Sequence, residues 1–361
     1  MTPTEPAAST AWEEKSKPGE QELFDDFARE IAEQQQEAAR EAAERQRKGE
    51  LSPQSEALFR GFHAKTHAGV MAEFEVLDGL PECARFGVFG TPRVFPALVR
   101  FSNGDFHLNP DKHHEPRGIA IKLIGVGGRK LLPGREDAVT QDFLATSHSV
   151  TSTVRDIRQF VAFIRAARNP VTLPVTLARE VGVFESARIL ADVAGTVALS
   201  KVRSMATEHY AGTAPIKLGP YAVKFTVRPA EGTPEPQSRP LTDDFLREEL
   251  ADRLRAGDLM FDFLLQFYVD DEHTPIEDTS VEWEPEHAPF VRVARLRIPR
   301  CDLDDPATHA LSEEVKKLSF TPWHATEDHR PLGNVMRARR VAYEASAALR
   351  GHRPEPTGLP L

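Results

Sequence analysis

Two side chains in this sequence have neighbours that suit them to chemistry, His63 and Tyr343. His63 follows Phe62 and precedes Ala64, just before an alternating apolar run. An apolar setting disfavours the imidazolium, so such a histidine stays near neutral and able to accept a proton, as general acid/base work requires. Tyr343 lies in RARRVAYEASAALR, with Arg339 four residues before it and Arg350 seven after it. On a helix these three share one face, and a guanidinium one turn away favours tyrosinate over phenol.

Two uses of Tyr343 are open from this segment alone. The phenol can pack in the core with its hydroxyl satisfied while the arginines solvate the helix, or it can be an anionic oxygen ligand to a ferric haem. The other histidines offer less. His113 and His114 are adjacent, and His324 and His329 lie in WHATEDHRPLG, but none has a spacing that puts two ligands on one helical face. They read as exposed loop histidines, and His67 as structural.

The elements around these residues can be read coarsely. Residues 1–20, rich in Pro, Glu, Ser and Thr, are expected to be disordered. Residues 21–50 read as a helix whose first half docks through Leu23, Phe24, Phe27 and Ile31 and whose second half is mostly solvated. Between 69 and 126 come the strand-like runs GVMAEFEV, RVFPALVRFSN and RGIAIKLIGV, which suggest a β-meander or barrel. KLGPYAVKFTVRP and DLMFDFLLQFYVDD read as further strands, and 155–168 and 243–256 as amphipathic helices. A last helix spans about 334–350, with Asn334 as N-cap and Gly351 as stop, before a short Pro-rich tail at 352–361.

Composition removes several functions. A net charge of −10 with scattered Lys and Arg argues against nucleic acid as a partner. Cys83 and Cys301 are far apart and fit free thiols in a reducing compartment. Neither a secretory leader nor a run long enough to span a bilayer is evident, so a cytoplasmic protein is expected.

Taken together, RGFHAK with EFEV, VRFSNG, PRGIAIKL and RARRVAYEASAALR resemble, in order, segments of the haem-dependent catalase superfamily, and specifically its shorter catalase-related branch. The resemblance implies an α+β fold: a catalase-like antiparallel β-barrel with helical insertions and a C-terminal haem-ligand helix, spanning 51–351. It implies haem b as cofactor, His63 as the distal histidine and Ser102 as the residue that orients it. Tyr343 would be the axial ligand to the haem iron and Arg339 its charge partner. Arg60, Arg100 and Arg350 would contact propionates, with Phe62 and Thr66 also against the cofactor. Arg117 and Gly118 fall where the family has a structural arginine and a tight turn.

The chain departs from the family on the distal side. Aligned from Arg155 and Asp156, the family's distal asparagine falls on His148, or on Ser147 with a one-residue slip, and its phenylalanine pair becomes Ser or Thr. That loosens the expected apolar wall. The proximal Thr-x-Arg-His-Arg is replaced by Ser346 to Leu349, with Arg350 kept. These changes favour a peroxidase acting on hydrogen peroxide or an organic hydroperoxide, with an unknown reductant, over efficient dismutation. The alternatives are a lipid-hydroperoxide isomerase or dehydratase resembling allene oxide synthase, and a haem-binding or sensing protein without turnover. A homo-oligomer is compatible with all three.

Overall fold

Period-two alternation of apolar residues builds the centre of the protein. The structure is a computed structural model that describes residues 6–50, 60–147, 153–169, 171–199, 201–351 and 354–359. Its strands are β1 (Thr66–Val76), β2 (Arg93–Asn103), β3 (Arg117–Ile124), β4 (Thr140–Ser147), β5 (Tyr210–Ala211), β6 (Ile216–Leu218), β7 (Tyr221–Pro229), β8 (Leu259–Phe267) and β9 (Val291–Ile298). Their spatial order is β5-β4-β3-β2-β1-β9-β8-β7-β6, and a further pairing of β5 with β7 closes eight of them into an antiparallel barrel, with β6 attached outside the ring. Closing a sheet in this way shields edges that could otherwise recruit another chain.

The barrel interior is filled by aromatic side chains. Phe263, fully buried, has its ring centroid 5.1 to 5.3 Å from those of Phe74, Phe143 and Phe225. Truncating such a side chain to alanine typically costs about 3–5 kcal/mol.

Because side chains alternate, the residues between these core positions on β2, β3 and β4 point outward in register. Ser102, Gly118 and Thr146 form one row, Arg100, Ala120 and Leu144 the next, and Leu98, Lys122 and Asp142 a third. These rows are the floor of the site described below.

Seven helices complete the described chain: α1 (Glu20–Arg47), α2 (Ile157–Ala167), α3 (Leu173–Val181), α4 (Val183–Leu199), α5 (Phe245–Ala256), α6 (Pro306–Lys317) and α7 (Asn334–Leu349). α1 and α2 cover α7 through Phe24, Phe27, Ile31, Ile157 and Val161, which meet the small Ala338 and Ala342 of α7. Small residues one turn apart let α7 approach closely, so the helix that carries Tyr343 is held between its neighbours.

Several expectations are corrected here. Residues 6–20 are not a free tail: Ser9 N donates to Tyr268 O (2.8 Å), Trp12 Nε1 to Pro220 O (2.8 Å), and Glu14 accepts from Arg330 and Arg337. Burial on α1 continues through Gln35, Ala38 and Ala42, so its second half docks as well. Asn334 is the first helical residue rather than the cap. Its Oδ1 accepts from Ile157 N (2.8 Å) and so satisfies the start of α2 instead. His324 and His329 are buried, not exposed, with Nε2 of His329 accepting from Val88 N (2.9 Å). The last segment also docks, through Glu355.

Candidate functional site

A cavity of about 870 Å³ lies between the outward rows of β2–β4 and the helical layer of α1, α2 and α7. His63 lines it from the barrel side and Tyr343 from α7, with the exposed His113 and His114 on its rim.

His63 is held in an unusual conformation. Its φ is 60°, in the left-handed region, which costs a non-glycine residue about 1–2 kcal/mol. Its N–H donates to Gly104 O (3.1 Å) and the next N–H, of Ala64, to Asp105 O (3.0 Å). That receiving loop is itself clamped by Glu115, whose Oε2 accepts from Gly104 N and Asp105 N (3.1 and 2.7 Å). Strain maintained by surrounding bonds is characteristic of working sites.

The ring's tautomer follows from its partners. Nδ1 lies 2.7 Å from Asn103 O, which can only accept, so Nδ1 carries the proton and Nε2 keeps its lone pair. Ser102 Oγ is 3.2 Å from the same Nδ1. Burial, then the Arg100 charge, pushes the imidazole down to about 3, against the opposing pull of the Asn103 carbonyl. His63 is therefore neutral at pH 7.

Gly118 makes room for this ring. A Cβ there would sit 2.5 Å from His63 Nδ1 and 2.8 Å from Ser102 Oγ, below van der Waals contact. Gly61 plays a similar part on the other side, where α1's Ile31 approaches its backbone and its N–H donates to Ser346 Oγ of α7 (3.0 Å).

Three guanidiniums converge on one end. Arg100 donates through Nη2 to His63 O (2.5 Å) and through Nε and Nη2 to Thr66 Oγ1 (3.0 and 2.8 Å). Arg60 donates to the carbonyls of Lys316 and Leu318 (2.8 and 2.6 Å). Arg350 follows α7 as its C-cap, and its buried Nε has no hydrogen-bond partner among the described residues. Burial, then one another's charge, holds Arg60 well below the ordinary guanidinium value and Arg100 at about 9. Burial, then the charge of Arg135, brings Arg350 to about 10. Clustered cations of this kind call for anionic groups between them.

On the helical wall, Arg339 Nη2 donates to Tyr343 Oη (2.8 Å), and its guanidinium carbon is 5.2 Å from the centre of the tyrosine ring. The phenol oxygen thus accepts a charge-assisted hydrogen bond.

The structure thus brings His63, Ser102, Arg60, Phe62, Arg100, Arg339, Tyr343 and Arg350 around one cavity. Thr66 is not on the lining; it holds Arg100 in place instead. Ser147 lines the cavity, but its Oγ accepts from Arg117 N (2.9 Å) and bonds the Glu208 carboxyl, so it offers no counterpart of a free carboxamide. His148 lies outside the described residues. The apolar wall expected to be loosened is built from other rings: Phe62 packs on Phe106 (centroids 4.2 Å) and stacks with Phe160 (6.1 Å), with Phe163 and Val154 beside them. Arg117 is structural as expected, donating to the Asp111 and His113 carbonyls (2.9 Å each). Sequence reasoning missed Asn103, Glu115, Phe160, Arg135 and Phe320. Asn103 lies within VRFSNG and Glu115 directly precedes PRGIAIKL, so both could have been found there.

A closed antiparallel barrel with this cavity on its outer face is the catalase fold. The chain is 29% identical over 312 residues, 81% of its length and 86% of the relative's, to a catalase-related peroxidase of Mycolicibacterium paratuberculosis. It superposes on catalase A of Saccharomyces cerevisiae with a TM-score of 0.64 at 16% identity, and on a fungal catalase with 0.63 at 17%. The matched regions cover 83% and 84% of this chain but only 62% and 61% of those catalases. No protein-family model matches the chain.

Proposed function

We propose that the protein is a haem-dependent peroxidase that uses hydrogen peroxide or an organic hydroperoxide as oxidant and a separate reductant. The observation that carries this reading is a neutral, strained His63 and an arginine-bonded Tyr343 on two walls of one cavity that also gathers three guanidiniums. The donor set fits haem b. Tyr343 offers an anionic oxygen to ferric iron, the apolar walls suit a porphyrin body, and Arg60, Arg100 and the orphaned Nε of Arg350 suit its two propionates. Bound there, the haem would supply the redox chemistry of peroxide reduction.

The chain's own residues handle protons and position. His63 Nε2 takes the proton of the peroxide hydroxyl and returns it to the departing oxygen, while the Nδ1–H bond to Asn103 O keeps the ring in the required tautomer. Ser102 and Gly118 fix the ring's plane, and the Arg339 bond positions the Tyr343 oxygen. The hydroxyl of Ser147 is committed to Arg117 and Glu208, so no carboxamide stands at that position to hold a second peroxide, which supports peroxidase action over dismutation. Thr66, on which the isomerase alternative leaned, faces Arg100 rather than the cavity. The strained, clamped His63 supports turnover over mere sensing. Cys83 and Cys301 form no disulfide, which suits a reducing cytoplasm, and among the described residues no helix is long and apolar enough to cross a membrane.

The test compares peroxide consumption, oxygen release and oxidation of a dye reductant on haem-loaded protein, with and without His63→Ala. Dye oxidation with little oxygen, falling about a hundredfold or more in the variant, is the expected result. Stoichiometric oxygen release, or an unchanged variant, would overturn the reading.

A further inference from the structure

The docked C-terminal segment ends at a place the proposed function does not use. Glu355 Oε2 accepts from Lys122 Nζ (2.6 Å) and Thr140 Oγ1 (3.1 Å), and Oε1 from Arg135 Nη1 (2.7 Å). Lys122 and Thr140 are fully buried outward residues of β3 and β4, and Arg135 lines the cavity beside Arg350. The set is anchored further. His324 Nε2 bonds Thr140 Oγ1 (2.6 Å), Asp142 Oδ1 accepts from Lys122 (2.6 Å), and Asp142 Oδ2 accepts from Thr321 N (3.0 Å).

We infer that Glu355 is an internal carboxylate filling an anion site made by Lys122, Arg135 and Thr140, and that it thereby directs the cofactor's two carboxylates to Arg60, Arg100 and Arg350. Charge bookkeeping supports this. With Glu355 in place, Lys122 and Arg135 face Asp142 and Glu355, two cations against two acids. The neighbouring three guanidiniums have no carboxylate within ion-pair distance among the described residues. A dianionic ligand is then attracted to the unneutralised set and finds the other already occupied. Without Glu355, Arg135 would join the three guanidiniums as a fourth unneutralised cation lining the cavity, and a propionate could seat against it instead. Glu355 is a positioning residue, acting through Arg135 and Lys122, and this role rests on the haem reading, whereas the anion site itself does not.

The experiment therefore has two readouts. The first is the rate of haem transfer from the holoprotein to excess apomyoglobin, for wild type, Glu355→Gln, which keeps size and removes charge, and a chain ended after Gly351. Both variants are expected to release haem about tenfold faster, corresponding to roughly 1.4 kcal/mol. The second is the thermal midpoint of the cofactor-free shortened chain in acetate and in chloride at equal ionic strength. Acetate should raise the midpoint of the shortened chain by more than that of wild type, because both have the three guanidiniums free and only the former also has the Glu355 site empty. Equal haem release in all three proteins would overturn the directing role, and an equal effect of acetate on the two chains would overturn the anion site. If wild type takes up no haem, the haem reading fails while the second readout still decides the site.

Discussion

Gly118→Ala tests the packing that orients His63. The added methyl would sit 2.5 Å from His63 Nδ1, 2.7 Å from Cε1 and 2.8 Å from Ser102 Oγ, where contact requires more than 3.4 Å. The ring cannot simply turn away. Its backbone is held by bonds to Gly104 and Asp105, and its Nδ1 is held by Asn103 O. Relief therefore takes a shift of about 1 Å in the imidazole, and overpacking of this kind costs about 1–3 kcal/mol of stability. A misplacement of that size in a group that moves a proton costs about a hundredfold in rate. Tyr343 and Arg339 are on the other wall and are untouched. The expected outcome is a haem-loaded variant with the wild-type ferric spectrum, about one hundredth of the peroxide-dependent dye oxidation, and a lower urea midpoint. A variant that oxidises dye at the wild-type rate would refute the claim that His63, in this orientation, carries the proton.

Thr66→Val keeps shape but removes the acceptor of two bonds from buried Arg100; losing bonds to a charged group should cost about 1.5–3 kcal/mol and speed haem release without altering the ferric spectrum, and unchanged release would mean Arg100 is not a cofactor contact. Stability should fall with acid. His63, His67, His324 and His329 are each pushed to about 3 by burial, so between pH 6.5 and about 3 the unfolded chain binds protons that the folded one refuses. Asp142 and Glu208, raised by burial, work in the opposite sense, leaving a net loss of at most about 3 kcal/mol per pH unit near pH 5.5. Urea unfolding at pH 7 and 5 measures it, and equal stabilities would contradict burial of these rings.

The parts of the fold that were legible are those where pattern and local chemistry agree. β1, β2, β3 and β7 alternate cleanly or carry dense β-branched runs, and α2, α5 and α7 have a helical stripe. β4 was not read as a strand because TQDFLATS is buried on both faces and places Thr, Gln and Asp against polar partners, so it shows no apolar alternation. β9 did carry a signal, since VRVARLRI alternates apolar residues with arginine, and was overlooked. Residues 6–20 look disordered by composition, yet they bind through single long-range contacts such as Glu14 to Arg330 and Arg337, which composition does not report. The same holds for Glu355 and Arg135, more than two hundred residues apart and joined only by the fold. His63 and Tyr343 stand out in the sequence because each has a local context suited to its chemistry, and the fold brings both to one cavity; Thr66, expected against the cofactor, pairs with Ser102 across β1 and β2 and bonds Arg100, which only the fold shows.

In the proposed function, Tyr343 binds the iron of a haem held in this cavity. The ferric absorption spectrum of haem-loaded wild type and of Tyr343→Phe, recorded side by side, tests it most directly. Wild type should show the charge-transfer bands of a phenolate-bound ferric haem, and the variant should lose them along with most of its bound haem. An identical spectrum and equal haem content in the two proteins would contradict it.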